Sequence, residues 1–193
     1  MSEREGAPRR LFLGIALDDE TREACSALAA RFEASGVRAR FVAPENYHVT
    51  LIFLGNVVAG TIPAIEATIT GVASRHAPFA LDFDRLGAFP HERRPRVIFA
   101  GSRGTDLAYR RLAAETNEAC AQLGFASESD AIPHVTLARV PEGERQAMPM
   151  LDVAPFRLHV NSLALFESVP LKSKTRYVIR SAFGLSAEGS TAV

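Results

Sequence analysis

The sequence contains no tryptophan, only two cysteines and no excess of either charge. Its formal net charge is zero because 22 basic residues balance 22 acidic ones. Proteins that coat duplex nucleic acid through bulk charge usually carry a basic excess, so this balance argues against that class but leaves room for recognition of a single phosphate. We expect Cys25 and Cys120 to be small buried residues in a reducing compartment rather than a disulfide.

Long apolar runs are also missing. No run approaches the roughly 18 residues of a membrane span, and the first ten residues, MSEREGAPRR, are too polar for a secretory signal. We therefore expect a cytoplasmic protein without a membrane partner. The 47% hydrophobic and 23% charged residues are typical of a globular protein. A chain of 193 residues can form one domain or two small lobes sharing a core.

The sequence does contain one tetrapeptide twice: HVTL occupies residues 48–51 and 134–137. Both copies lie in runs rich in β-branched and apolar residues, YHVTLIFLG and PHVTLARV, which favour strands. A single His-x-Thr match would be weak evidence, but two identical copies in matching strand contexts are strong evidence for a shared function.

Side chains of a strand alternate between its two faces. The first copy is therefore predicted to place His48, Thr50 and Ile52 on one face and Phe53 on the other. The second copy sorts in the same way, with His134 and Thr136 on one face. Each copy would present an imidazole and a hydroxyl about 7 Å apart along the strand.

The rest of the chain alternates strand-like and helix-like segments. Apolar runs and alternating patterns predict further strands at residues 11–17, 79–89, 96–101, 156–168 and 176–183. Apolar stripes predict helices from an N-cap at Asp18 to Gly36, from Pro63 through Val72, and over residues 105–123 with contacts from Leu107, Leu112, Ala119 and Leu123. We expect residues 1–8 and 186–193 to be disordered tails and residues 129–133 to form a loop.

The order strand, helix, HVTL strand occurs twice. His48 follows Phe12 by 36 positions, and His134 follows Val97 by 37. This repetition predicts a single α+β domain, residues 1–193, with two pseudo-symmetric lobes. Mostly antiparallel sheets would line a central cleft, the helices would lie on the outside, and both motif strands would face the cleft.

Two opposed histidines suit a displacement at phosphorus. An entering water must lose a proton and a leaving alkoxide must gain one, and imidazole, with a pKa of about 6.5, can serve either need. Each threonine hydroxyl can donate a hydrogen bond to a non-bridging phosphate oxygen. The scheme needs no metal, and the sequence has no acidic or cysteine cluster at metal-ligand spacing. A strained cyclic phosphodiester would suit such a site because its leaving oxygen remains part of the substrate.

The segments PENYHVTLIFLG and PHVTLAR resemble the two HxTx motifs of the two-histidine phosphoesterase superfamily. They are most similar to its branch of 2′-5′ RNA ligases and RNA 2′,3′-cyclic phosphodiesterases. The opening RRLFLGIALDDETRE, the LGAFP turn, the PRVIFAG strand and the SLALFES strand fall in that family's order, so the resemblance covers nearly the whole chain. It implies hydrolysis of an RNA 2′,3′-cyclic phosphate to a 2′-phosphate and, in some members, 2′-5′ joining of RNA ends.

The resemblance also implies a role for each motif residue. His48 would donate a proton to the leaving 3′ oxygen, and His134 would accept one from water. Thr50 and Thr136 would hold the phosphate, and Arg139 matches a basic position that often follows the second motif. No cofactor is implied, and we expect a monomer whose substrates are RNA ends or small cyclic nucleotides.

Other functions are compatible with the same residues. The substrate could be another cyclic nucleotide, an ADP-ribose cyclic phosphate or a short 2′-5′ oligonucleotide, and a binding module could hold RNA ends without turnover. Several other side chains allow either a structural or a functional interpretation. Tyr47 and Phe41 would be packing residues or rings that stack on a base. Five arginines would be surface charges or guides for an RNA backbone: Arg38, Arg40, Arg93, Arg94 and Arg96. His76, His91 and His159 lack a threonine partner and are expected to be structural or exposed.

Overall fold

The computed structural model describes residues 7–125, 132–144, 146–149, 151–172 and 174–186. The helices in this part of the chain are α1 (Asp19–Ala34), α2 (Ile62–Ala73) and α3 (Leu107–Gln122). The strands are β1 (Arg9–Ala16), β2 (Arg40–Phe41), β3 (His48–Val57), β4 (Phe79–Phe83), β5 (Arg85–Phe89), β6 (Val97–Gly101), β7 (His134–Arg139), β8 (Phe156–Val160), β9 (Ser162–Pro170) and β10 (Thr175–Gly184). Of the predicted tails and loop, residues 1–6, 129–131 and 187–193 lie outside the described residues.

The main sheet is antiparallel and has eight strands. Its order is β10-β9-β1-β3-β7-β6-β5, with the short β2 also pairing with β7. Strands β4 and β8 form a separate two-stranded sheet. The predicted α+β class is confirmed, with one difference. The sheets of the two halves are joined where β3 meets β7, through the single residue pair Val49 and Val135, so they form one continuous sheet.

The two halves of the main sheet repeat each other in register. In the first half, β1 pairs Ala16 with His48 and Gly14 with Thr50. In the second half, β6 pairs Gly101 with His134 and Phe99 with Thr136. The helices are exchanged between the halves, because α1 packs against β7 and α3 packs against β3. The matching strand pairing gives the two halves the pseudo-symmetry that the repeated strand–helix–strand order predicts.

Local sequence signals explain where the helices begin and end. The Asp18 side chain accepts a hydrogen bond from the Thr21 amide at 2.8 Å and caps α1, and Gly36 just beyond this helix has a positive φ of 81°. Pro63 occupies the first turn of α2. The predicted contact at Leu107 is wrong: this residue begins α3 and is 63% exposed, because the buried stripe of the helix starts only at Tyr109.

Two predicted strands are each divided in the structure. Residues 79–89 form β4 and β5, which separate at Asp84, and residues 156–168 form β8 and the first part of β9, which separate at Asn161. In both cases the first piece joins the small sheet and the second joins the main sheet. At each break two polar residues stand together, Asp84 with Arg85 and Asn161 with Ser162, so the alternation slips by one residue. This slip indicates an irregularity but does not reveal that the chain changes sheets.

The two cysteines form no disulfide with each other. Cys25 and Cys120 are free, as predicted, and fully buried, and burial raises the pKa of the Cys25 thiol to about 12 and that of Cys120 to about 11. Neither thiol is therefore an activated nucleophile.

None of the helices in the described ranges combines the length and the apolar character needed to span a membrane.

Candidate active site

Four motif side chains meet where β3 pairs with β7. Because the antiparallel pair is Val49 and Val135, His48 lies across from Thr136, and Thr50 lies across from His134. Directly opposed residues have Cβ atoms about 5 Å apart, and the two histidines sit on a diagonal of roughly 7–8 Å. All four side chains line one cavity of about 310 Å³. The sheet therefore brings two imidazoles and two hydroxyls around a single space.

Both imidazoles are held in the same tautomer. Nδ1 of His48 lies 2.7 Å from the Asn46 carbonyl oxygen, and Nδ1 of His134 lies 2.8 Å from the Ile132 carbonyl oxygen. A carbonyl can only accept a hydrogen bond, so Nδ1 carries the proton in each ring. The Nε2 atom of each neutral ring therefore has a free lone pair. The two halves orient their histidines by the same device, a backbone carbonyl two residues before the histidine.

Aromatic rings surround each histidine. The ring of His48 lies 4.8 Å from Phe12, 5.7 Å from Phe166 and 5.0 Å from Tyr177, measured between centroids. The ring of His134 lies 5.1 Å from Phe89 and 5.3 Å from Phe99. These rings shield each imidazole from water, and Phe89 and Tyr177 also line the cavity.

Burial favours the neutral form of both histidines. Burial lowers the pKa of His48 to about 4, although the hydrogen bond to the Asn46 carbonyl raises it. The charges of His134 and Arg139 lower this pKa further by smaller amounts. Burial also lowers the pKa of His134, with Arg139 acting in the same direction and the Ile132 carbonyl opposing. Both lowered pKa values favour neutral rings at pH 7. A bound phosphate would favour protonation of a ring.

A bulge follows each motif threonine. Between the pairs Thr50–Gly14 and Ile52–Leu13, strand β3 has one residue more than β1, and that residue is Leu51. The two consecutive residues Leu51 and Ile52 are therefore both buried, and Phe53 is 59% exposed. The predicted alternation is wrong here: Phe53, not Ile52, shares the face of His48. Gly14 in β1 was the available signal, since a Cβ atom there would lie 2.5 Å from the Val49 carbonyl oxygen.

The second motif has the same bulge. Leu137 is the extra residue between the pairs Thr136–Phe99 and Ala138–Ile98, and Leu137 and Ala138 are both buried. The bulge turns Arg139 onto the face of Thr136, where it lines the cavity. Its charge lowers the pKa of both histidines, so the guanidinium acts on the whole site. Among the described carboxylates, none is paired with Arg139.

Two polar residues support the motifs and were not recognised as site residues from the sequence. Asn46, which marks a turn in the sequence, donates from Nδ2 to the Thr175 carbonyl at 2.7 Å and accepts from the Tyr177 amide at 2.9 Å. The Tyr109 hydroxyl, fully buried on α3, donates to the Thr50 carbonyl at 2.8 Å. Asn46 thus ties the segment before His48 to β10, and Tyr109 ties β3 to α3.

None of the remaining candidates lines the cavity. Tyr47 is buried, and Phe41 packs on Phe32 at 6.2 Å, so both contribute to packing. His76 pairs with Glu115 at 2.7 Å, while His91 and His159 are exposed. Arg38 pairs with Glu144, Arg96 donates to the Pro141 carbonyl, and Arg93 and Arg94 are exposed.

Comparison with known proteins gives a consistent result. The family model described as LigT like Phosphoesterase matches residues 15–99 and 105–177. An RNA 2′,3′-cyclic phosphodiesterase of Archaeoglobus fulgidus is 36% identical over 132 residues, which are 68% of this chain and 72% of that protein. One of Geobacillus stearothermophilus is 32% identical over 139 residues, 72% of this chain but only 44% of the longer relative.

Solved structures agree with the sequence matches. The crystal structure of E. coli LigT in apo form superposes with a TM-score of 0.80 at 28% identity and covers 94% of this chain and 99% of that one. The same E. coli protein has been crystallised with 3′-AMP and with phosphate. A duplicated α+β fold with two His-x-Thr pairs around one cavity defines a phosphoesterase of the two-histidine class. The chain belongs to the LigT-like phosphoesterase family.

Proposed function

We propose that this protein hydrolyses 2′,3′-cyclic phosphates at RNA ends to 2′-phosphates. The observation that carries the proposal is the matched pair of imidazoles, each with Nδ1 held by a backbone carbonyl, that line one cavity together with Thr50 and Thr136. The relatives named RNA 2′,3′-cyclic phosphodiesterase support the choice of substrate. The E. coli LigT complexes with 3′-AMP and with phosphate support a nucleotide as the ligand.

The proposed reaction is a single in-line displacement. A water oxygen forms a bond to phosphorus as Nε2 of His134 accepts the water proton, and the bond from phosphorus to the 3′ oxygen breaks as that oxygen takes a proton from Nε2 of His48. This assignment of acid and base follows the likeness to the two-histidine family. Hydroxyls of Thr50 and Thr136 and the Arg139 guanidinium would hold the non-bridging oxygens and stabilise the charge that develops there.

Substrate binding would supply the acid. With a pKa of about 4, His48 is neutral at pH 7. A cyclic phosphodiester carries one negative charge, and an opposite charge nearby favours the protonated imidazole. We therefore propose that the substrate enters together with a proton for His48, while His134 remains neutral as the base.

No metal is needed in this scheme, because Arg139 and the imidazolium offset the phosphate charge. Within the described residues, no group of three or more His, Cys, Asp or Glu side chains is arranged to hold a metal ion. All five proposed site residues come from one chain, which supports a protein that acts as a monomer. We propose the cytoplasm as its compartment on the basis of the reduced cysteines.

The test is turnover of an oligoribonucleotide that ends in a 2′,3′-cyclic phosphate, measured in EDTA. The wild-type protein should release a 2′-phosphate end, and His48→Ala and His134→Ala should each slow the reaction by roughly 10²–10⁴-fold. Binding of the RNA without product would instead indicate an RNA-end binding module. Turnover confined to 2′-5′ oligonucleotides or another cyclic phosphate in the same panel would reassign the substrate.

A further inference from the structure

Arg40 lies directly opposite Arg139 in the pairing of β2 with β7. Residues directly opposed in antiparallel strands project from the same face of the sheet. The neighbours of Arg40 fix which face this is. Phe41 packs on Phe32 of α1 on the helical side, whereas Val42 lines the cavity. Arg40, which is exposed, therefore projects from the open face, beside the cavity and outside it.

This arrangement sets two like charges against each other. Opposed like charges on neighbouring strands are destabilising, and no carboxylate among the described residues pairs with Arg40 or Arg139. Arg38, two residues earlier, differs because Glu144 lies 3.8 Å from its guanidinium. The sheet thus keeps an uncompensated pair of cations at one end of the cleft, an arrangement that a polyanion would neutralise.

The position of Arg40 separates it from the reacting phosphate. Along β7, Arg139 is three residues beyond Thr136, the residue opposite His48, so the β2 end of the cleft lies roughly 10 Å from His48 along the strand. Arg139 reaches the cavity, and Arg40 is one strand further out. A group bound by Arg40 would therefore be next to the terminal phosphate rather than the terminal phosphate itself.

We propose that Arg40 binds a second phosphate of an RNA substrate, the phosphodiester next to the reacting cyclic end. The guanidinium fork suits phosphate oxygens, and backbone phosphate contacts position a nucleic acid without reading its sequence. Arg40 then distinguishes an RNA chain from a mononucleotide, while Arg139 and the motif residues act on both. The inference rests on the proposed function of the cleft.

The test compares Arg40→Ala with Arg38→Ala, a control that removes the same charge two residues away in the same segment. Two substrates are used, an oligoribonucleotide with a 2′,3′-cyclic phosphate end and cytidine 2′,3′-cyclic phosphate. Arg40→Ala should raise KM for the oligonucleotide by about fivefold at low salt and reduce the slope of its binding against salt concentration by about 0.7. Hydrolysis of the mononucleotide should be unchanged, and Arg38→Ala should resemble the wild type.

A separate readout distinguishes Arg40 from a residue that merely supports the fold. Loss of the like-charge contact should leave the urea midpoint of Arg40→Ala equal to or above that of the wild type. The proposal is overturned if Arg40→Ala slows hydrolysis of both substrates equally. It is also overturned if Arg40→Ala raises KM for the oligonucleotide no more than Arg38→Ala does. If the wild type turns over neither substrate, the proposed function fails, and anisotropy with the labelled oligonucleotide then still decides whether Arg40 contributes to RNA binding.

Discussion

Phe53 and Arg139 occupy equivalent positions in the two halves of the protein. Each stands three residues after a motif threonine, and each is turned onto the open face by a bulge at the intervening leucine. The repeated fold thus delivers an aromatic ring to one copy of the site and a cation to the other. The backbone of the site is symmetric, and the difference between these two side chains makes its chemistry asymmetric.

Arg139 should contribute to both binding and proton transfer. Replacing it with alanine would remove the proposed charge-assisted hydrogen bond to phosphate, so we expect kcat/KM to fall by roughly 10- to 100-fold. Because its charge lowers the pKa of His48 and His134, both values should rise in the variant. Steady-state kinetics and an NMR titration of the imidazoles measure the two effects. The control is Arg93→Ala, which replaces an exposed arginine. If the pKa values of both histidines are unchanged in Arg139→Ala, Arg139 does not act on the site.

The first bulge depends on a glycine. A methyl group at Gly14 would lie 2.5 Å from the Val49 carbonyl oxygen, on the strand that carries His48. We expect Gly14→Ala to destabilise the protein by about 1–3 kcal/mol, because the backbone of β3 must move. Urea unfolding measures this, with Gly60→Ala as the control, since no atom lies within 4 Å of a Cβ there. Equal stability of the two variants would show that close approach of β1 and β3 is not required.

The motif residues could be predicted from the sequence, but the bulges and the residues that hold the motif side chains in place could not. Identical HVTL copies in strand contexts indicate that His48, Thr50, His134 and Thr136 act together, because the strand period fixes which side chains share a face. The bulge at Leu51 breaks that period with no local signal in β3 itself. At Asp84 and Asn161 the alternation slips by one residue, but the sequence does not show that the chain passes to another sheet there, because that depends on contacts distant in sequence.

Asn46 connects His48 to β10, and this connection could not be predicted from the sequence. Its carbonyl orients His48 while its side chain bonds two backbone groups of β10, one of them at Tyr177, whose ring packs on His48. Asn46→Ala should therefore lower kcat by about tenfold with little change in KM, because the imidazole loses its fixed orientation. Asn46→Asp keeps the acceptor for the Tyr177 amide but loses the donated bond to Thr175 and adds a negative charge near His48, so the pKa of His48 should rise in that variant.

A matched control for Asn46 exists elsewhere in the chain. Gln146 also bonds both backbone groups of one residue, Arg38, through its side-chain amide, and neither residue lines the cavity. Gln146→Ala should retain the wild-type kcat. If Asn46→Ala and Gln146→Ala behave alike, Asn46 has no special part in holding His48.

The neutral His48 links stability to pH. Its pKa is about 4 when folded and about 6.5 when unfolded, so below pH 6.5 the unfolded chain binds the proton first. This contribution to stability is complete above pH 6.5 and is lost as the pH falls towards 4. Between pH 7.5 and 4.5, His48→Ala should lose about 1–3 kcal/mol less stability than the wild type, as urea unfolding would measure. Parallel pH profiles would mean that His48 is not buried in its neutral form.

The most direct test of the account asks whether the two histidines transfer protons on opposite sides of one phosphorus. In a cyclic substrate with sulfur in place of the 3′ oxygen, the leaving thiolate needs no proton, because thiols ionise near pH 8.5. His48→Ala should be roughly 10²–10⁴-fold slower than the wild type on the oxygen substrate and nearly equal to it on the sulfur substrate, while His134→Ala stays slow on both. Equal impairment of His48→Ala on the two substrates, or rescue of His134→Ala instead, would contradict the assignment.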